Sequence, residues 1–242
     1  MFIEKPFYKR HAAGRLIIAA LLIFLSSAAV QAASVVIDEA EMNAIFSQPS
    51  FGATPISIRF NPSREIVAPQ LLTINTLADL QALYGLATDP APTVTAFFVD
   101  QLNACASVES AINGQYAGCA QLPGQLFVEA SDFAEIAPGP LMGHELGHNM
   151  NLEHDLFSGH TNLMAPFFPM GPDVTEEQVA NMLQSPLVQT DSTGQRFIAI
   201  TPIAIVGAAV PEPSTLLLLS VPLGVLLIFK RKNQGATGTP NH

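Results

Sequence analysis

Apolar residues recur along the central part of the chain at two different spacings. A spacing of three or four residues predicts helices over 37–47, 71–86, 141–150 and 173–183. Alternating or continuous apolar runs predict strands over 56–60, 94–99 and 125–130, of which 94–99 has the composition of a central strand. The apolar run 197–206 fits either a final strand or the start of a membrane anchor. Thr175 and Gln178 have capping-box spacing at the start of the last helix.

The N-terminal segment has the three parts of a secretory signal peptide. Four basic residues precede the apolar run 16–25, and small residues around Ala32 suit a signal peptidase. We therefore predict a signal peptide over 1–32, with cleavage after Ala32. The alternative is a transmembrane anchor, for which the apolar run is short.

The C-terminal segment has a second tripartite pattern. A linker over 206–213 ends in Pro-Glu-Pro, an apolar stretch with a basic end follows over 214–232, and 233–242 is a polar tail. This order resembles the PEP-CTERM sorting signal of Gram-negative bacteria. The resemblance implies transient anchoring in the inner membrane through the 214–232 helix, processing by an exosortase-type enzyme, and delivery to the cell surface or beyond. An ordinary C-terminal anchor that is never cut is the alternative.

Between these ends, residues 33–205 are long enough for one domain with a sizeable core. The exported part, 33–209, contains 18 acidic residues, three arginines and no lysine, which gives a net charge of −15. Such a surface repels nucleic acid, so we expect no nucleic-acid partner. Basic or neutral protein segments are the expected substrates, although solubility outside the cell explains the acidity equally well.

The two cysteines, Cys105 and Cys119, both lie in the predicted exported part. Because oxidising compartments favour disulfides, we expect them to pair, with a stabilisation of about 3 kcal/mol in the chain-entropy model. Neither has the neighbours of a catalytic nucleophile.

The segment 144–155 carries the chemistry that the sequence makes most distinctive. His144 and His148 are four residues apart, so on a helix both imidazoles reach one zinc ion. Glu145 projects beside them, where it can take a proton from water activated by the metal. His154 can be the third ligand only if the chain leaves the helix and doubles back, and Asn151 is a residue type that enters the left-handed region needed there.

These residues, HELGHNMNLEHD, resemble the HExxHxxGxxH signature of the metzincin zinc endopeptidases, with Asn151 where the pattern has glycine. Met164, in Thr-Asn-Leu-Met-Ala-Pro, resembles the methionine turn, which implies an apolar floor under the imidazoles. Some metzincins have a tyrosine ligand two residues further on, but that position is Pro166 here. The resemblance in motif covers 144–166. It implies an α+β fold with a mixed twisted sheet, an active-site helix and a small C-terminal subdomain.

Three other interpretations of the histidines remain open. They could be hydrogen-bonded residues of a buried helix, but Glu145 would then have no explanation. A gluzincin would take its third ligand from a later helix, where Glu176 and Glu177 are candidates. His160 could be a ligand if the turn were built differently, and is otherwise an exposed loop residue.

The resemblance also implies how substrate would bind. One zinc ion would keep an open position for water, and Glu145 would be the general base. Substrate would extend along an edge strand, for which 116–121 is the candidate, and 165–170 would wall the pocket for the residue after the cut bond. These last residues could equally be plain core. Asp155 is either a residue that orients the turn after His154 by hydrogen bonding or an ordinary loop carboxylate.

Two functions from different classes follow. The first is an exported zinc-dependent endopeptidase that hydrolyses protein or peptide substrates. The second is a matrix or surface protein that retains a zinc-binding metzincin fold and cuts little. The presence of Glu145 favours the first, since a purely structural site has no use for a base.

Overall fold

The structure, a computed structural model, describes residues 32–106 and 113–207. Its helices are α1 to α5, listed in order: Glu39–Ile45, Leu77–Tyr84, Ser131–Ala134, Pro138–Asn149 and Glu176–Met182. Its strands are β1 to β9, listed in order: Ile56–Phe60, Arg64–Val67, Thr73–Ile74, Val94–Val99, Gln101–Leu102, Gly118–Ala120, Leu126–Ala130, Gln189–Thr190 and Arg196–Val206. The result is a mixed arrangement of helices and strands, compatible with the predicted α+β class.

A mostly parallel sheet forms the frame of these residues, with the strand order β1-β9-β4-β7-β6. The pairs β1–β9, β9–β4 and β4–β7 are parallel, and the last pair, β7–β6, is antiparallel. β2 and β8 also pair with β9, and β3 and β5 form a separate two-stranded sheet. The candidate substrate edge, 116–121, therefore contains an antiparallel strand at one end of the main strand order.

The run 197–206, which the sequence left undecided, is part of β9. This strand is 11 residues long and lies between β1 and β4. Ile198, Ile200 and Ile203 are fully buried, because the strand has core residues on both of its faces. The chain after Asn151 thus contributes loops and α5 and then returns to the middle of the sheet.

Two hydrophobic clusters cover the two faces of β4. Phe98 faces the cluster that contains residues of α1 and α4, and Phe97 faces the cluster that contains residues of α2. All six residues of β4 are buried, which confirms it as a central strand. On the first face, α4 packs against α1, β6 and β7. The helix that carries His144 and His148 is therefore fixed between the sheet and α1.

The predicted helix over 71–86 was too long at its N-terminal end. Its first residues form a 3₁₀ turn and β3, and α2 begins only at Leu77. The reason is a capping box, in which Thr76 accepts from the Asp79 N–H and the Asp79 carboxylate accepts from the Thr76 N–H. The expected capping box of the last helix is confirmed, with Thr175 and Gln178 as its partners.

The predicted disulfide between Cys105 and Cys119 is present, with a Cα–Cα distance of 5.7 Å. This disulfide links the loop after β5 to strand β6. The predicted signal peptide, Pro-Glu-Pro motif, membrane helix and polar tail lie outside the described residues, apart from Ala32 and the first two residues of the linker. Within 32–106 and 113–207, no helix is long and apolar enough to cross a membrane.

Glu129, in β7, has its carboxyl group in the protein interior. It is fully buried, and neither carboxyl oxygen has a hydrogen-bond partner among the described residues. Burial raises the pKa of Glu129 well above the ordinary value of 4.5. The folded protein therefore holds this proton at pH values where the unfolded chain has released it, so stability falls as pH rises above 4.5 toward the raised pKa.

We expect Glu129→Met to remove this pH dependence and to stabilise the protein by about 1–3 kcal/mol at neutral pH, since it removes an unsatisfied buried polar group. Urea unfolding measured between pH 4 and pH 8 checks this. Glu65→Gln, at an exposed position of β2, is the control and should leave the pH profile unchanged. If the free energy of unfolding of Glu129→Met still falls with pH as steeply as that of the wild type, another group causes the pH dependence.

Candidate metal centre

Helix α4 supplies two of the three histidines from one face. His144 and His148 are each 1% exposed, and their rings pack edge to face with centroids 4.6 Å apart. The helix begins with Pro138 in its first turn, where the missing N–H costs no helical hydrogen bond. Its four-residue spacing brings both Nε2 atoms to the same side, as the sequence predicts.

Asn151 ends this helix in the left-handed conformation, with φ 70°. Its N–H donates to the His148 carbonyl at 2.8 Å, and the Leu152 N–H donates to the Gly147 carbonyl at 3.0 Å. This pair of hydrogen bonds is a Schellman motif, which normally places glycine at the position of Asn151. The motif reverses the chain so that His154 returns to the other two histidines.

The three rings converge through their Nε2 atoms. Nε2 of His144 lies 3.1 Å from Nε2 of His148 and 3.3 Å from Nε2 of His154. All three residues offer ligand atoms within 4.8 Å of one another. Nitrogens bound to one tetrahedral zinc at about 2.0–2.1 Å would be about 3.3–3.4 Å apart, so the spacing fits such an ion.

Hydrogen bonds to the backbone fix the tautomers of two of these rings. Nδ1 of His144 lies 2.7 Å from the Leu163 carbonyl, and Nδ1 of His148 lies 2.7 Å from the Leu152 carbonyl. Because a carbonyl only accepts, each Nδ1 carries a proton, and Nε2 is the atom of each ring that can ligate a metal. This donor set therefore fits a metal cation.

Met164 packs against Gly147 of α4, in the turn that resembles a methionine turn. It is fully buried, and a Cβ added at Gly147 would lie 2.5 Å from its Sδ. Met164 thus occupies the space that glycine leaves open on α4. The neighbouring Leu163 carbonyl is the acceptor that orients His144, so this turn supports the site both by packing and by hydrogen bonding.

Asp155 organises the loop that follows the third histidine. Its carboxylate accepts from the N–H groups of Phe157 and Ser158 and from the Ser158 hydroxyl. The hydrogen bond from the Ser158 hydroxyl lowers the pKa of Asp155 most, and the hydrogen bonds from the two N–H groups lower it further. The backbone N–H of Asp155 donates to the Met164 carbonyl at 2.8 Å. These bonds link the loop directly after His154 to the turn that contains Met164.

Glu145 lies on α4 between the histidines and strand β6. It is 1% exposed, and a Cβ added at Gly118 would overlap its Oε1. Its carboxylate therefore lies directly against the backbone of the edge strand. Gly118 could not be singled out within 116–121 from the sequence, because the requirement for glycine comes from Glu145, 27 positions away.

Gly118→Ala is expected to displace the Glu145 side chain, since an added Cβ would lie within 3 Å of its Cγ, Cδ and Oε1. If Glu145 is a general base, the turnover number should fall by about tenfold or more. Metal content should be unchanged, because no ligand moves. Gly85→Ala, at the end of α2, is the control for a glycine substitution far from the site. Unchanged turnover in Gly118→Ala would show that the carboxylate has no role in the reaction.

A small cavity of about 20 Å³ adjoins Glu145. Tyr116 and Gly118 line one side, and residues of 165–170 line the other, including Phe167 and Met170. The segment expected to wall a substrate pocket therefore lies beside the candidate base. This volume holds about one water molecule.

The other candidate ligands lie apart from the three histidines. Glu176 and Glu177 are exposed in the first turn of α5, and His160 is exposed with its ring 4.7 Å from that of Phe167. Among the described residues, the group that can hold a metal consists of His144, His148 and His154.

In comparisons with known proteins, no family model, no curated protein and no solved structure matches this chain.

Proposed function

We propose that this protein is a zinc-dependent endopeptidase of metzincin type. The observation that carries the proposal is the convergence of three histidine Nε2 atoms beside a buried glutamate that lies against an edge strand. A structural zinc site has no need of that glutamate. Zinc is the metal proposed because three imidazoles are a common ligand set of catalytic zinc sites. Such an ion acts as a Lewis acid and makes water a nucleophile at neutral pH.

Glu145 is the proposed general base. From its place beside His144 and His148, its carboxylate takes a proton from the attacking water and later gives it to the leaving amine. The packing of Glu145 against Gly118 restricts where its carboxylate can lie, which holds the base close to the bond to be cut.

Strand β6 is the proposed binding strand for substrate. Its outer edge can pair with an extended peptide through backbone hydrogen bonds, which bind without regard to sequence. The cavity beside Glu145 then takes the side chain after the cut bond. Because this cavity is about 20 Å³ and includes Phe167 and Met170 in its lining, a small apolar side chain is favoured.

The ends of the chain are proposed to determine where the enzyme acts. A signal peptide over 1–32 would export the domain, and the segment 214–232 would anchor it in the inner membrane. An exosortase-type enzyme would then act near Pro-Glu-Pro and deliver the domain to the cell surface or the extracellular space. The net charge of −15 over 33–209 fits a soluble extracellular domain with no nucleic-acid partner.

A second function is a non-proteolytic matrix or surface protein that keeps the zinc site for stability. The observation that favours it is the small volume of the cavity beside Glu145, which limits the side chains that can enter. Under this alternative, zinc raises the thermal stability of the protein and no peptide is cut.

The two functions predict different effects of a chelator on peptide cleavage. Purified protein should cut an unstructured protein, lose this activity in a chelator and regain it when zinc is added back. Intact mass and circular dichroism should show that the chain itself survives chelation. Zinc binding and stabilisation without any cleavage would favour the second function over the first.

A further inference from the structure

A cleft of about 620 Å³ opens beyond the end of strand β6. Its walls come from the loop before β4, the turn after β6, the end of α4, and the last turn of α5 with the segment that follows it. Asn181 lies in that last turn, and Gln184 lies in the segment after it. The volume lies in the range of ligand-binding pockets. The chemistry at Glu145 does not use this cleft.

The lining of the cleft is uncharged. None of the 14 described residues that line it is acidic or basic, and six carry a side-chain amide: Gln121, Gln125, Asn149, Asn151, Asn181 and Gln184. In a domain with 18 acidic residues, a neutral lining is a distinctive feature. A charged group placed there would lose hydration without gaining an opposite charge, which is costly. Amide and hydroxyl groups can exchange hydrogen bonds with the lining instead.

Asn149 provides a second observation within this wall. The residue is 2% exposed, and its Nδ2 donates to the Gln121 carbonyl at 2.9 Å and the Leu126 carbonyl at 3.1 Å. These two acceptors fix the orientation of the amide. Its Oδ1 is buried and has no hydrogen-bond partner among the described residues. Buried acceptors are normally satisfied, so the wall of the cleft contains an acceptor that lacks a donor among the described residues.

The position of the cleft along β6 relates it to the candidate base. Gly118 lies against Glu145, and Gln121 is three residues further along, a distance of about 10 Å in an extended chain. A peptide paired antiparallel to β6 would have its N-terminal part beside Gln121. About three residues therefore separate the cut bond from the part of the peptide that reaches the cleft.

We infer that this cleft is a subsite for uncharged peptide residues with amide or hydroxyl side chains, on the N-terminal side of the cut bond. Its use in cleavage rests on the proposed peptidase function. The binding itself needs neither the metal nor Glu145, because the lining shares no residue with the three-histidine group.

A series of three peptides tests the use of the cleft in cleavage. Its members share the residues around the cut bond and carry upstream Gln-Asn-Ser-Gln, Glu-Asp-Glu-Glu or Lys-Lys-Arg-Lys. The uncharged member should have a KM about tenfold lower than both charged members, with a similar kcat. Equal KM values for all three would overturn the inference.

A double substitution, Asn181→Asp with Gln184→Glu, changes the charge of the lining without changing its shape. It should lower the KM of the basic member and raise that of the acidic member by about fivefold each. Gln70→Glu, at an exposed position elsewhere, adds a negative charge outside the cleft and should change neither value. The same response in both variants would mean that overall charge decides, which contradicts a subsite.

Direct binding separates this inference from the proposed function. Fluorescein-labelled Gln-Asn-Ser-Gln, followed by fluorescence anisotropy, should bind the full chain saturably with and without chelator and more weakly to the double variant. Such binding in a protein that cuts nothing would remove the peptidase proposal and retain the subsite. Absence of saturable binding would overturn the subsite even in an active enzyme.

Discussion

Glu145→Gln is expected to lower the turnover number for any cleaved peptide by about 10²–10⁴-fold, the usual contribution of a general base. Glutamine has nearly the same size and shape, so its contact with Gly118 and the packing of α4 should persist. The amide cannot take a proton from water at neutral pH. The three histidines are unaltered, and zinc content should remain at that of the wild type.

Single-turnover rates and metal analysis of the same preparations check this result together. Glu153→Gln, an exposed carboxylate next to the third histidine, is the matched control and should keep most of the activity. A Glu145→Gln variant that holds zinc and still turns over within about tenfold of wild type would contradict the assignment of the base.

His154→Ala should weaken zinc binding by at least about a hundredfold. The residue supplies one of three converging Nε2 atoms and lies on a loop rather than on α4, so its loss leaves the helix intact. Zinc at about 100 times its Kd stabilises a folded protein by about 2.7 kcal/mol, and this stabilisation should disappear in the variant.

Thermal unfolding with and without zinc measures the effect, and competition with a zinc-binding dye measures the affinity. His160→Ala is the control, because His160 is exposed and its ring contacts that of Phe167 outside the three-histidine group. Loss of zinc stabilisation in His160→Ala, with His154→Ala unaffected, would mean that the third ligand has been misplaced.

The local parts of the site were predictable because they depend on short spacings. A four-residue separation fixes the faces of His144 and His148, and Asn151 can take the φ that the Schellman motif requires. The central strand β4 was predictable from the composition of six successive residues. The disulfide was expected on a different ground, the export that the N-terminal pattern predicts.

Features that depend on distant pairing were not predictable in the same way. The run that forms β9 has an apolar composition that suits a membrane anchor as well as a central strand, and only its neighbours β1 and β4 decide between them. The need for glycine at position 118 arises from Glu145, and the neutral cleft joins four separate segments. Apolar periodicity carries no information about such contacts.

Digestion of a sequence-diverse peptide library by zinc-loaded protein, with new N-termini identified by mass spectrometry, tests the central claim most directly. We predict a set of cuts that zinc-loaded Glu145→Gln does not produce, with small apolar residues enriched directly after the cut bond. A wild-type protein that holds one zinc ion and produces no cuts beyond those of Glu145→Gln would contradict the claim that this is a peptidase.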